Sequence, residues 1–189
     1  MTTTIPRASA ILGAARTLAA KLLLAVPIDR AALSEAMTES AGGNDAAGAW
    51  QQRDSFEALE VALSLAIPEL VGRMDVGAAI ATLEVLAKEL PTHTVRSENQ
   101  IQFQQFSTPP ALARFAVHLA RLSGDDMVLE PSAGTGIIAS LARGAVKDLI
   151  LNELEPTRAD LLEALFPGTK VYRHDGAKLS ALLSGTARP

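Results

Sequence analysis

A chain of 189 residues, 48% of them hydrophobic, is long enough to bury one or two cores and too apolar to be disordered. Its net charge of −4 divides as seven Lys/Arg against eleven Asp/Glu through residue 91 and ten against ten from 92 onward. That balance excludes a stand-alone nucleic-acid binder held by charge alone. Cysteine is absent, which excludes disulfides and thiolate metal sites and fits a reducing cytoplasm.

The three histidines lie far apart in sequence, so no metal site is expected. Aromatics are only 4%, and the abundant alanine and leucine point to helices packed through small side chains. Arg16 and Lys21 interrupt the apolar stretch from Ile11 to Val26, making it neither a membrane span nor a clean signal peptide. A soluble cytoplasmic protein with no membrane partner is the expectation.

The spacing predicts four helices before residue 91. Thr4 and Pro6 suit the start of the first, whose face is Ile11, Leu12, Ala15, Leu18, Ala19, Leu22 and Val26, with Pro27 as its end. Asp29 is placed to cap a short second helix through Ala36, before the breaker Glu39–Asp45. A third runs from Trp50 to Ala66 with Phe56, Leu59, Ala62 and Leu63 inward and Pro68 closing it. Asp75 caps a fourth carrying Ala79, Ile80, Leu83, Leu86 and Leu90, ended by Pro91. Residues 1–91 thus read as an N-terminal all-α domain that carries no chemistry by itself.

Residues 92–105 are polar and irregular and read as a linker into a second domain, residues 92–189. Thr108 is placed to cap a helix running to Leu122, with Pro109 and Pro110 in its first turn. Met127-Val-Leu129 is a continuous apolar run, the pattern of a strand buried on both faces of a parallel sheet, and Glu130 sits at its carboxyl end. Pro131 stops pairing, and Gly134 and Gly136 allow close approach of a ligand to the main chain before a helix begins at Thr135. A second strand, Asp148–Asn152, is followed by Glu153; a helix from Pro156 and a third strand, Lys170–Arg173, are followed by Asp175.

Strand–helix–strand–helix–strand puts Glu130, Glu153 and Asp175 at successive strand ends, the side on which open parallel sheets bind ligands. The fold class expected is α/β: an incomplete Rossmann-like doubly wound parallel sheet of about three strands. A carboxylate after the second strand suits ribose hydroxyls, and Glu153 is the candidate. Gly134-Thr-Gly-Ile-Ile-Ala139 also fits the G-x-G-x-x-A form of a nicotinamide fingerprint, so an NAD-dependent oxidoreductase is a second reading. The structural alternative is that such acids merely cap the next helix, which suits Glu155 and Asp175.

Phe106-Ser-Thr-Pro-Pro110, Leu129-Glu-Pro-Ser-Ala-Gly-Thr-Gly136, Asn152-Glu-Leu-Glu-Pro156 and His174-Asp-Gly176, in that order, resemble the cofactor motifs of amino-group DNA methyltransferases. More narrowly, Pro91 to Gly176 resembles the methyltransferase-like segment that precedes a strawberry-notch-type helicase in large plasmid and phage proteins. The resemblance implies S-adenosylmethionine along the strand ends. By it Thr108 holds the methionine carboxylate, and Glu130 with the loop Pro131, Ser132, Ala133, Gly134 and Gly136 holds the amino-acid moiety. Glu153 takes the ribose hydroxyls and Asp175 the adenine amino group.

The implied reaction is methylation of adenine N6 or cytosine N4 in nucleic acid, with the target base flipped out of a duplex. The family's Asn/Asp-Pro-Pro-aromatic motif occurs nowhere in this sequence, and the chain stops about where a fourth strand would begin. The expectation is therefore a truncated, cofactor-binding part without catalytic residues, inactive alone. Its partners would be nucleic acid in the full-length protein and a helicase domain downstream. The first strand would lie at an uncovered sheet edge that is disordered, dimerises or is covered by the N-terminal helices. A non-catalytic module that senses a cofactor or recruits a helicase is the reading from another class.

Overall fold

The computed structural model describes residues 5–92 and 107–179. Thr4 and nearly all of the expected 92–105 linker lie outside the described residues. Helix α1 (Arg7–Leu23) buries Ile11, Ala14, Ala15, Leu18 and Leu22, the three-and-four spacing that puts one stripe against its neighbours. It ends four residues before Pro27, and Ala25 turns the chain with φ 52°. Asp29 caps α2 (Arg30–Ala41) by accepting from Ala32 N at 2.8 Å, and Gly42 closes it in the left-handed conformation.

Helix α3 (Gln52–Val71) is the central rod of this half. It runs through Pro68, where the sequence predicts a stop. The proline removes one N–H, but Ile67 and Val71 on either side are fully buried against Ala79 and Leu83 of α4 (Val76–Glu89), and that burial retains the last turn. Asp75 caps α4 through Ala78 N at 3.0 Å. Of the expected inward face of α4, Ala79 and Leu83 are buried, while Ile80, Leu86 and Leu90 are half-buried.

Helix α5 (Pro110–Ala120) follows. Its N-cap is Pro109 and no side chain caps it, so Thr108 does not play the capping role its position predicts; the helix also ends at Ala120, short of Leu122. The chain then enters β1 (Met127–Glu130), α6 (Ile137–Ala142), β2 (Asp148–Asn152), α7 (Pro156–Leu165) and β3 (Lys170–Tyr172), followed by a 3-10 turn at Gly176–Lys178. Glu155 caps α7 through Arg158 N at 2.7 Å.

The three strands form one parallel sheet in the order β1-β2-β3, with Leu129 opposite Ile150 and Leu151 opposite Val171. The architecture is mixed α/β, seven α-helices with a small parallel sheet among the described residues. The order leaves β1 outermost, as expected, but β1 is not buried on both faces: Met127 is 67% and Leu129 37% exposed. An outer strand has a neighbour on one side only, and among the described residues no strand pairs with the other edge of β1.

The N-terminal helices share their interior with the helices that flank the sheet. Leu161 of α7 belongs to the same buried cluster as Leu18, Leu33, Met37 and Leu59. Ile137 and Leu141 of α6 and Ala111 of α5 pack against Ile67, Val71, Ala79 and Leu83. Among the described residues no helix is long and apolar enough to cross a membrane.

Candidate functional site

Parallel strands end on the same side, so the loops after β1, β2 and β3 meet at one edge. Asn152, 1% exposed at the end of β2, ties them together. Its Nδ2 donates to Pro131 O at 2.9 Å and His174 O at 2.8 Å, and its Oδ1 accepts from His174 N at 3.0 Å. One amide side chain thereby links the ends of all three strands, a role that nothing in its sequence neighbourhood signals.

The glycine loop is held from below. Ala133 N donates to Asn152 O at 2.9 Å, and Gly134 N, at φ 57°, donates to Glu153 Oε2 at 2.8 Å. The other Glu153 oxygen accepts from Glu155 N at 2.9 Å. Gly136, φ 86°, has a packing role: a Cβ there would stand 2.7 Å from the Phe166 ring, so only glycine lets the loop lie on α7.

Above this loop is a cavity of about 150 Å³. Of the residues expected to bind a ligand, it brings together Thr108, Glu130, Ser132, Ala133 and Gly134. Pro131, Gly136, Glu153 and Asp175 lie outside its lining. Asp175 is exposed, accepts from Ala177 N at 3.0 Å and so caps the 3-10 turn, the structural alternative raised for it. The expected α6 start at Thr135 is two residues early; Thr135 is buried in the cavity wall instead.

Glu130 is 8% exposed and its Oε2 has no hydrogen-bond partner among the described residues. Burial pushes its carboxyl up to about 8; a backbone hydrogen bond from Ala139 in the first turn of α6 opposes the rise, and the charge of Glu153 adds to it. An acid in this state is uncharged at neutral pH and ionises when a cation arrives.

The far wall comes from α3. Glu60 lines the cavity; its Oε1 accepts from Ser107 Oγ and its Oε2 from Thr135 Oγ1 at 3.4 Å. Facing it is Arg158, 3% exposed, whose Nε donates to Glu57 Oε1 at 3.1 Å and whose Nη2 is 3.6 Å from Glu60 Oε2. Burial disfavours the Arg158 charge, but Glu60 and Glu57 outweigh it and hold the guanidinium above its ordinary value. Burial pushes the Glu57 carboxyl up, against the attraction of Arg158.

The sequence reading missed this α3–α7 cluster, since it assigned no chemistry to the first ninety residues. The signal is the recurrence of Asp54, Glu57 and Glu60 at every third residue of a helix that is otherwise mostly apolar. No family model, curated protein or solved structure matches the chain.

Proposed function

We propose that this chain binds S-adenosylmethionine and is the cofactor-binding part of a nucleic-acid amino-methyltransferase. The observation that carries the reading is the Glu130 oxygen without a partner, buried in the wall of a cavity made by the glycine loop and the Thr108 segment. Such a carboxylate is costly to keep and is satisfied by an ammonium group. In the same reading Thr108 takes the ligand carboxylate, and the loop from Ser132 to Gly134 lies against the amino-acid moiety. Glu153 shares its remaining lone pairs with ribose hydroxyls, and Asp175 receives the adenine amine at the rim. Bound there, S-adenosylmethionine supplies an electrophilic methyl group.

The electrostatics favour this ligand over a nicotinamide dinucleotide. A pyrophosphate on the glycine loop needs free N–H donors and positive potential. Here the Gly134 N–H is already taken by Glu153, and the cavity offers one cation, Arg158, against the two acids Glu60 and Glu130. A doubly charged pyrophosphate is poorly matched there, whereas a zwitterionic head is neutral overall.

The order β1-β2-β3 with parallel pairing supports reading the sheet as one half of a doubly wound Rossmann-like sheet, with α1–α4 as a helical domain laid against it. No residue of the chain is assigned a catalytic role, so turnover requires an Asn- or Asp-Pro-Pro-aromatic segment supplied from elsewhere. Nucleic acid and a helicase domain are partners of such an assembly. A cofactor-sensing module shares the same site and differs only in the event that binding triggers.

Titration calorimetry tests the reading. S-adenosylmethionine should bind and NAD should not, and Glu130→Gln should weaken binding about ten-fold or more. Because Glu130 passes from neutral to charged on binding, about one proton should be released near pH 7, seen as a buffer-dependent heat that Glu130→Gln abolishes. No heat with S-adenosylmethionine, or a heat with NAD, overturns the proposal.

A further inference from the structure

Two buried groups of opposite sign line the same cavity, and each has an atom with no hydrogen-bond partner among the described residues: Glu130 Oε2 and Arg158 Nη2. The neighbouring polar groups are engaged. Glu60 is held by Ser107 and Thr135 and stands 3.6 Å from Arg158 Nη2, too far for a hydrogen bond, and the Gly134 N–H is held by Glu153. Arg158 is fixed beside the loop: its Nε is on Glu57, and a Cβ on Gly134 would lie 3.8 Å from its Nη1.

We infer that Arg158 determines specificity in this cavity, its Nη2 binding the carboxylate of an α-amino-acid head whose ammonium rests on Glu130. The inference deepens the S-adenosylmethionine reading and rests on it. A zwitterionic head is neutral overall, so it enters without adding net charge to a buried place, and each end meets the opposite sign. Arginine suits the task because its planar fork keeps a donor for the ligand while Glu57 occupies another. The helices α1–α4 thus take part in ligand choice through α3, whose carboxylates hold the guanidinium charged and in position.

The test compares S-adenosylmethionine with its decarboxylated analogue, which keeps the sulfonium and the amine, by calorimetry on the full chain. Wild type should prefer the carboxylated ligand about ten-fold or more, the worth of one charge-assisted hydrogen bond. Arg158→Lys keeps the charge without the Nη2 donor, and Arg158→Met with Glu57→Gln removes both partners of the buried pair. In both, the preference should collapse towards one, with affinity for the analogue changed less than about three-fold. On wild type itself, the Arg158 guanidinium N–H protons should exchange more slowly by nuclear magnetic resonance with S-adenosylmethionine than with the analogue, a readout that does not depend on either variant folding.

Failure of wild type to bind either ligand removes the cofactor reading and this inference with it. Binding of both without preference, a preference that survives in a folded variant, or equal Arg158 exchange with the two ligands overturns the Arg158 assignment and leaves the cofactor reading standing.

Discussion

The ends of β1 and β2 each carry a glutamate, Glu130 and Glu153, and both are 8% exposed. Glu153 spends one oxygen on Gly134 N and the other on Glu155 N, whereas Glu130 keeps an oxygen with no partner among the described residues. Equal burial therefore hides opposite roles. One carboxylate holds the loop in shape, and the other is a charge site that folding leaves incomplete. Satisfaction of the buried atom, not burial itself, distinguishes the group that supports a site from the group that would meet its ligand.

The largest expected effect sharpens that contrast. Glu153→Ala orphans two backbone donors, so chemical denaturation should show a loss of about 3 kcal/mol. Asn152→Ala removes the tie between the strand ends and should cost about 2 kcal/mol by the same measurement. Glu130→Gln should stay close to wild-type stability near pH 4.5 and exceed it near pH 8, since it deletes a buried group whose ionisation opposes folding. A Glu130→Gln loss as large as that of Glu153→Ala would erase the distinction between the two ends.

A pH series tests the same point more finely. With its folded value near 8 against 4.5 for the free side chain, Glu130 binds its proton more tightly in the native state. Its contribution to stability is fully present below about pH 4.5 and is lost as pH rises through about 8. Wild type should therefore lose stability relative to Glu130→Gln across that window, measured as a denaturation midpoint at each pH. Parallel midpoints for the two proteins would mean that Glu130 is not a buried acid.

What the sequence made legible is what neighbours in sequence decide. Asp29, Asp75 and Glu155 each cap a helix by bonding an N–H three residues on, and the short apolar run of β2 has the bounds its pattern predicts. Local signals failed where distant packing intervenes. Pro68 reads as a stop, yet the burial of Ile67 and Val71 carries α3 past it. Thr108 reads as a cap, yet it faces the cavity while Pro109 begins the helix.

The site was half legible for the same reason. The glycine loop and Glu130 lie in one continuous stretch whose residue types announce a turn over a ligand. The opposite wall joins Glu57 to Arg158, partners 101 residues apart, and no periodicity connects them. Asn152 looked like the last residue of a strand, because its value lies in the carbonyls of Pro131 and His174 that only the sheet brings to it.

The shared interior of α3 and α7 has a consequence for recombination. A chimera that joined this sheet to a foreign helical partner would bury Arg158 without its two acids and expose Leu161, which now packs among α1–α3. The two halves are therefore not interchangeable parts. Any successful graft has to import carboxylates at the places of Glu57 and Glu60 along with an apolar seat for Leu161.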